Sequence, residues 1–153
     1  MLSDNSLIKK LANGVVRLEI DISNVQLEKL ICYIKLIKKW DKTHNLTAIN
    51  SLEEMLVKHL LDSLSLLPHI DKASLLDVGA GAGLPSFPLA IAQESLKCTA
   101  LDASYKRVVF MRTVVRELDL QNIRVVHSKV EDFESEPYPV SYTHLRAHET
   151  SKH

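Results

Sequence analysis

The chain has 153 residues, 46% hydrophobic and 25% charged, the composition of one globular domain rather than of a disordered chain. Its 19 basic and 19 acidic residues cancel to a formal net charge of zero, so no global field draws it to nucleic acid or to an anionic membrane. No stretch is apolar for long enough to span a bilayer, and Met1–Asn13 lacks the apolar run of a signal peptide, so a cytoplasmic protein is expected.

The first third reads as helical. From Val25 to Trp40, residues Leu27, Leu30, Ile31, Ile34 and Ile37 recur at steps of three and four, the mark of a one-faced helix. Lys35, Lys38, Lys39 and Lys42 share a second stripe, which a solvated helix face explains more simply than a nucleic-acid contact. Trp40 closes the apolar face and is expected in the core. Asp41 to Asn50 reads as a polar loop. Ser51 with Glu54 forms a capping-box pattern that starts a second helix. Met55, Leu56, Leu60, Leu64 and Leu67 supply its apolar face, and Pro68 closes it. Residues 1–70 are thus expected to form an N-terminal helical cap.

The pattern changes at Ser74. Ser74–Val78 is a short apolar strand running into Gly79-Ala80-Gly81-Ala82-Gly83. A helix is expected from Pro85 to Gln93, a strand over Lys97–Leu101, a helix over Ser104–Leu118 and a third strand over Ile123–Val126. Strands alternating with helices imply an α/β fold with a parallel sheet, here the first half of such a domain over residues 71–139. Right-handed crossovers order the strands three, two, one and leave the first at an edge, where unpaired backbone invites aggregation. After Pro137 and Pro139 a fourth strand should follow. Instead residues 140–153 are polar and histidine-rich, resembling a translated cloning adapter, so this tail is expected to be non-native and the domain incomplete. On that expectation the polypeptide as it stands is unstable or inactive. His144 and His148 have helical metal-pair spacing, but in such a tail no metal site is expected. Cys32 and Cys98 lack metal spacing and read as two reduced, partly buried thiols.

Three of the four glycines lie between Gly79 and Gly83, where a strand passes into a helix. Such a cluster serves a sharp turn or a ligand approaching the backbone. Asp77 precedes it at the end of the first strand. Asp102 ends the second strand about twenty residues on, where a carboxylate can accept ribose hydroxyls. The spacing is D-x-G-x-G-x-G, and Leu84 stands where a dinucleotide fold needs its third glycine. Asp77 would repel a diphosphate but suits the cationic methionine part of S-adenosyl-L-methionine, so Asp77, Gly79, Gly81, Gly83 and Asp102 are read as a site for that cofactor.

Several stretches are more specific. Trp40-Asp41-Lys42-Thr43-His44-Asn45-Leu46-Thr47, Lys58-His59-Leu60-Leu61-Asp62-Ser63, Leu76 to Pro85, Leu101 to Arg107 and Val130-Glu131-Asp132-Phe133 stand in one order across residues 26–133. In them the chain resembles the bacterial ribosomal RNA small-subunit methyltransferase G family, also called glucose-inhibited division protein B. The resemblance implies a Rossmann-like class I methyltransferase, a three-layer sandwich with an N-terminal helical extension. It implies methyl transfer from S-adenosyl-L-methionine to nitrogen 7 of a guanine in 16S ribosomal RNA, with either that RNA or the small ribosomal subunit as the partner; a monomer is expected. By position, Gly79 and Leu84 line the cofactor, while Val130 and Glu131 border its adenine. The sequence departs from the family at Ser86, where glycine is usual. A family arginine after the fourth strand has no counterpart in context, and Arg146 is not assigned its role.

Nitrogen 7 of neutral guanine carries a lone pair and no proton, so no general base is needed and no catalytic residue is assigned. An exposed or unstacked guanine is the expected substrate, because the major groove of an RNA helix is deep and narrow. Lys106, Arg107 and Arg112, with the Lys35–Lys42 stripe, are candidate RNA contacts. Asn45, Thr47, His59 and Asp62 either floor the active site or tie the cap to the sheet. Competing possibilities are a methyltransferase of the same fold on another substrate, an inactive truncated fragment, and, last, a nicotinamide-binding protein.

Overall fold

The computed structural model describes residues 4–44, 46–71 and 73–133. Asn45 and the segment 140–153, with its histidines and Arg146, lie outside the described residues. Two N-terminal helices come first, α1 (Asp4–Arg17) and α2 (Asn24–His44). Leu7, Leu11 and Val15 recur every four residues along α1 and are buried. The helix ends with Glu19 at φ 60°, and the Ile20 amide bonds back to the Val15 carbonyl at 3.0 Å, closing the last turn. The start of α2 is a reciprocal capping box. Ser23 Oγ accepts from the Gln26 amide at 3.2 Å, and Gln26 Oε1 accepts from the Ser23 amide at 2.7 Å.

Two expectations change here. The segment from Asp41 is not a loop throughout, since α2 continues to His44. No proline or glycine interrupts it there, and Lys42 and Thr43 are exposed. The helix expected from Ser51 to Pro68 is broken into pieces. Ser51 caps α3 (Leu52–Met55) as its pattern predicts, its Oγ accepting from the Glu54 amide at 3.0 Å. The backbone then widens into a π-helical segment, Leu56–Leu61, before α4 (Asp62–Leu64), and Pro68 falls in a separate 3-10 turn, Leu67–His69. Apolar spacing places Met55, Leu56, Leu60 and Leu64 in the core either way, so periodicity could not reveal the extra residue in the turn.

The α/β part follows its predicted order. Strands β1 (Ser74–Val78), β2 (Lys97–Asp102) and β3 (Ile123–His127) form a parallel sheet in the order β1-β2-β3 among the described residues. Helix α5 (Ser86–Ala92) joins the first two strands and α6 (Tyr105–Glu117) the last two. Across the sheet Leu75 pairs with Cys98 and Cys98 with Ile123; Asp77 pairs with Ala100 and Ala100 with Val125. This face meets α5 and α6 in the main core.

Helix α2 lies over that layer. Near its start Gln26 Nε2 donates to the Ile91 and Ala92 carbonyls, at 3.2 and 3.0 Å, at the end of α5. Midway, Tyr33 stacks on Phe87 at the start of α5, with ring centroids 5.8 Å apart. The two helices therefore run antiparallel. Trp40 is half-buried and meets Phe110 of α6 edge-on at 5.6 Å, consistent with a core role. The cysteines differ from expectation: Cys98 is buried in β2, but Cys32 is exposed, because it falls between the buried positions Ile31 and Tyr33 on the outer side of α2. Among the described residues no helix is long and apolar enough to cross a membrane.

Candidate functional site

The carboxyl ends of β1 and β2 hold the glycine turn. The Leu101 carbonyl accepts from both the Gly79 and Ala80 amides, at 2.8 and 3.0 Å. Asp102 is 5% exposed, and its Oδ2 accepts from the Gly81 amide at 2.8 Å while Oδ1 accepts from Ser104 at 2.8 Å. The Gly83 amide closes the turn onto the Ala80 carbonyl at 2.8 Å. Gly79, Gly81 and Gly83 all have positive φ, at 69°, 62° and 97°. Their spacing thus answers a backbone demand that L-residues meet poorly. Gly79 also faces open space, since a Cβ there would meet nothing within 4 Å. Gly83 is the opposite case, because a Cβ would stand 2.4 Å from Phe87 Cδ1.

Beneath the turn lies a buried polar group. Asp77 is fully buried, and its Oδ2 accepts from the Ser86 amide, the first of α5, at 3.3 Å. A carboxylate there satisfies an amide that the helix itself leaves open. The Cys98 thiol lies against the Ser86 carbonyl, Sγ to O 3.8 Å. Burial, and then the charge of Asp77, push its pKa up to about 12, so it is a protonated thiol at neutral pH. Ser86 is itself fully buried, and its Oγ has no hydrogen-bond partner among the described residues.

The cap contributes a second cluster. The Thr47 amide donates to Asp41 Oδ1 at 2.8 Å, and Thr47 Oγ1 accepts from the Ile49 amide at 3.1 Å. The same oxygen lies 3.0 Å from His59 Nε2 on the π-helical segment. Beside it Lys38, Asp41, Lys42, Ile49, Asn50 and Met55 line a cavity of about 190 Å³. Segments of π-helix recur where a side chain must be set out of register with its helix.

The family model of rRNA small subunit methyltransferase G (GidB) matches residues 26–153. The chain belongs to this family. A GidB-family relative from Methylobacillus flagellatus, named ribosomal RNA small subunit methyltransferase G, is 48% identical over 128 residues, or 84% of this chain and 62% of the relative. The protein of that name from Neisseria meningitidis serogroup C is 45% identical over 124 residues, 80% of this chain and 60% of its own. That from Yersinia pseudotuberculosis is 44% identical over 131 residues, 86% of this chain and 64% of its own. The chain spans a little under two thirds of the length of these curated relatives.

Within this GidB chain the structure brings Gly81 to Asp102 and Thr47 to His59 by direct contact. Asp77 lies below the turn, and Leu84 is half-buried at its end. Val130 and Glu131 sit in a 3-10 turn after β3 and are exposed. The chain reaches that turn from β3 through Ser128, whose amide donates to the Asp102 carbonyl at 3.1 Å. Lys106 and Arg107 are exposed in the first turn of α6. Asp62 is exposed at the start of α4, where its carbonyl accepts from Ser65 Oγ at 2.6 Å. Lys35 is engaged by Asp4 at 2.8 Å, a bond that raises its pKa. Tyr33 was not foreseen. Its hydroxyl donates to the Ala82 carbonyl at 2.7 Å, and the only hint in the sequence is a polar tip on an otherwise apolar helix face.

Proposed function

We propose that the chain carries the S-adenosyl-L-methionine site of an enzyme that methylates nitrogen 7 of a guanine in 16S ribosomal RNA. The observation that carries the proposal is the preformed glycine turn, open above Gly79 and bound at Gly81 to the carboxylate of Asp102. Each oxygen of Asp102 accepts one backbone amide and keeps a lone pair for a ribose hydroxyl. Asp77 sets a buried negative charge under the turn, which favours a cationic ligand over a diphosphate. Leu84 closes the apolar side, and Val130 and Glu131 border the adenine from the tip of β3.

When bound, S-adenosyl-L-methionine supplies an electrophilic sulfonium methyl, which a neutral guanine nitrogen can take up without surrendering a proton. The protein's contribution is therefore alignment and exclusion of water, not proton transfer. Thr47 and His59, whose side chains lie 3.0 Å apart, are assigned together with Asp62 to positioning the base. Lys106 and Arg107 offer phosphate contacts, as do Lys38 and Lys42 around their cavity. Tyr105 is 62% exposed, and its ring lies 5.4 Å from that of His127, a face on which an unstacked base can rest.

Two measurements test the proposal. Calorimetry with S-adenosyl-L-methionine should show saturable binding that Asp102→Ala abolishes. Small ribosomal subunits from cells lacking the guanine modification should take up labelled methyl from the donor, and subunits already modified should not. Absence of binding and of transfer would overturn it; transfer to a protein or small molecule instead would reassign the substrate.

A further inference from the structure

Among the described residues the glycine turn is held by β2 on one side and by the N-terminal helices on the other. The β2 side supplies Leu101 O to Gly79 and Ala80, and Asp102 Oδ2 to Gly81. The opposite side supplies the Tyr33 hydroxyl, from the middle of α2, to the Ala82 carbonyl at 2.7 Å. Tyr33 is fully buried, and Ala82 is 4% exposed. The same ring stacks on Phe87 with an interplanar angle of 15°, and Phe87 in turn packs where any side chain on Gly83 would stand. One residue thus touches the turn through its hydroxyl and, through Phe87, backs the glycine that ends it.

We propose that Tyr33 is a positioning residue of the methyl-donor site, so that α2 is a working part of cofactor binding and not only a cap over the sheet; this rests on the function proposed above. Gly79, Gly81 and Gly83 are all left-handed in this turn, and glycine backbone has little preference of its own for that shape over others, so the shape depends on the groups that hold it. Ligand affinity falls in proportion to the fraction of molecules in the competent shape. Without the hydroxyl, the Ala82 carbonyl is buried with its Tyr33 bond gone, and the turn gains by rotating that peptide towards water. The Gly81 and Gly83 peptides on either side must follow.

The test is Tyr33→Phe, which keeps the ring and its stack on Phe87 and removes only the hydroxyl. Ile34→Val, one residue along α2 in the same core, serves as the comparison, with denaturant midpoints measured for both. The dissociation constant for S-adenosyl-L-methionine should rise about ten-fold in Tyr33→Phe, as for a competent fraction reduced to about a tenth. It should stay at the wild-type value in Ile34→Val. In methyl transfer, KM for the donor should rise by a similar factor with kcat within about two-fold. A merely structural role would lower the yield of folded, active protein and leave the affinity of the folded fraction unchanged, and that result would overturn the proposal. Equal affinity in Tyr33→Phe and wild type would do the same. If the wild-type chain binds no donor at all, the function proposed above fails and this inference with it, a result distinct from either.

Discussion

Gly79 and Gly83 share a left-handed backbone but differ in surroundings, and their alanine variants should fail differently. Gly83→Ala drives a methyl into the Phe87 ring and should cost about 1–3 kcal/mol through overpacking alone. The denaturant midpoint should drop accordingly; no change would mean the ring swings aside freely. Gly79→Ala meets open space, so only the conformational penalty of about 1–2 kcal/mol applies. Its larger effect should be on donor affinity, because the new methyl occupies the approach to the turn. Cys98 makes a different prediction. Its thiol holds its proton up to about 12, well above the value of an exposed cysteine. Between those two pH values the unfolded chain has lost the proton and the folded chain has kept it. Stability contributed by the buried thiol is therefore complete below the exposed-cysteine pKa and declines as pH rises above it, by at most about 1.4 kcal/mol per pH unit. Comparing urea midpoints from pH 8 to 10 should show a shallower decline in Cys98→Ala than in wild type. Equal slopes would show that the thiol ionises as readily folded as unfolded. The glycines and both aspartates stood out in the sequence because backbone geometry leaves few residue choices at such positions. The downward partner of Asp77, the amide of Ser86, did not, because any residue there carries an amide.

Helix α5 shows what an element needs when it is too short to stabilise itself. Its seven residues are all buried, and its last carbonyls are met by side chains from elsewhere. Asn122 Nδ2 lies 3.0 Å from the Ala90 carbonyl, 3.1 Å from that of Gln93 and 2.8 Å from that of Leu96. Gln26 covers those of Ile91 and Ala92. Asn122→Ala removes the donor to two part-buried carbonyls and one exposed one and should cost about 1 kcal/mol, read as a fall in the denaturant midpoint. A change under about 0.5 kcal/mol would show that those carbonyls find other donors. The helices and strands were legible from periodicity to within a residue or two through the α/β part. There apolar runs and glycine or proline boundaries coincide. They were less legible in the cap. The Ser23 and Gln26 box marks the start of α2 by a reciprocal contact that apolar periodicity does not carry, and the π-helical widening at Leu56–Leu61 leaves the apolar spacing of Met55, Leu56, Leu60 and Leu64 intact.

At the scale of the molecule, the N-terminal helices and the sheet share one core rather than two. Tyr33, Trp40 and Gln26 each reach from α2 into the α5 and α6 layer. A boundary near residue 70, drawn from the change of periodicity, marks a change of local structure within that continuous packing. Contacts between α2 and the turn join residues 49 apart in sequence, which local patterns cannot disclose. The two thiols turn this architecture into a built-in gauge. Cys32 stands on the outer side of α2, open to reagent, whereas Cys98 is sealed beneath α5 against the Ser86 carbonyl. Native protein should consume one equivalent of an alkylating probe promptly and the second only as fast as the α5 layer parts from the sheet. The slow phase is then a clock for that opening, and any ligand that grips the turn should lengthen it.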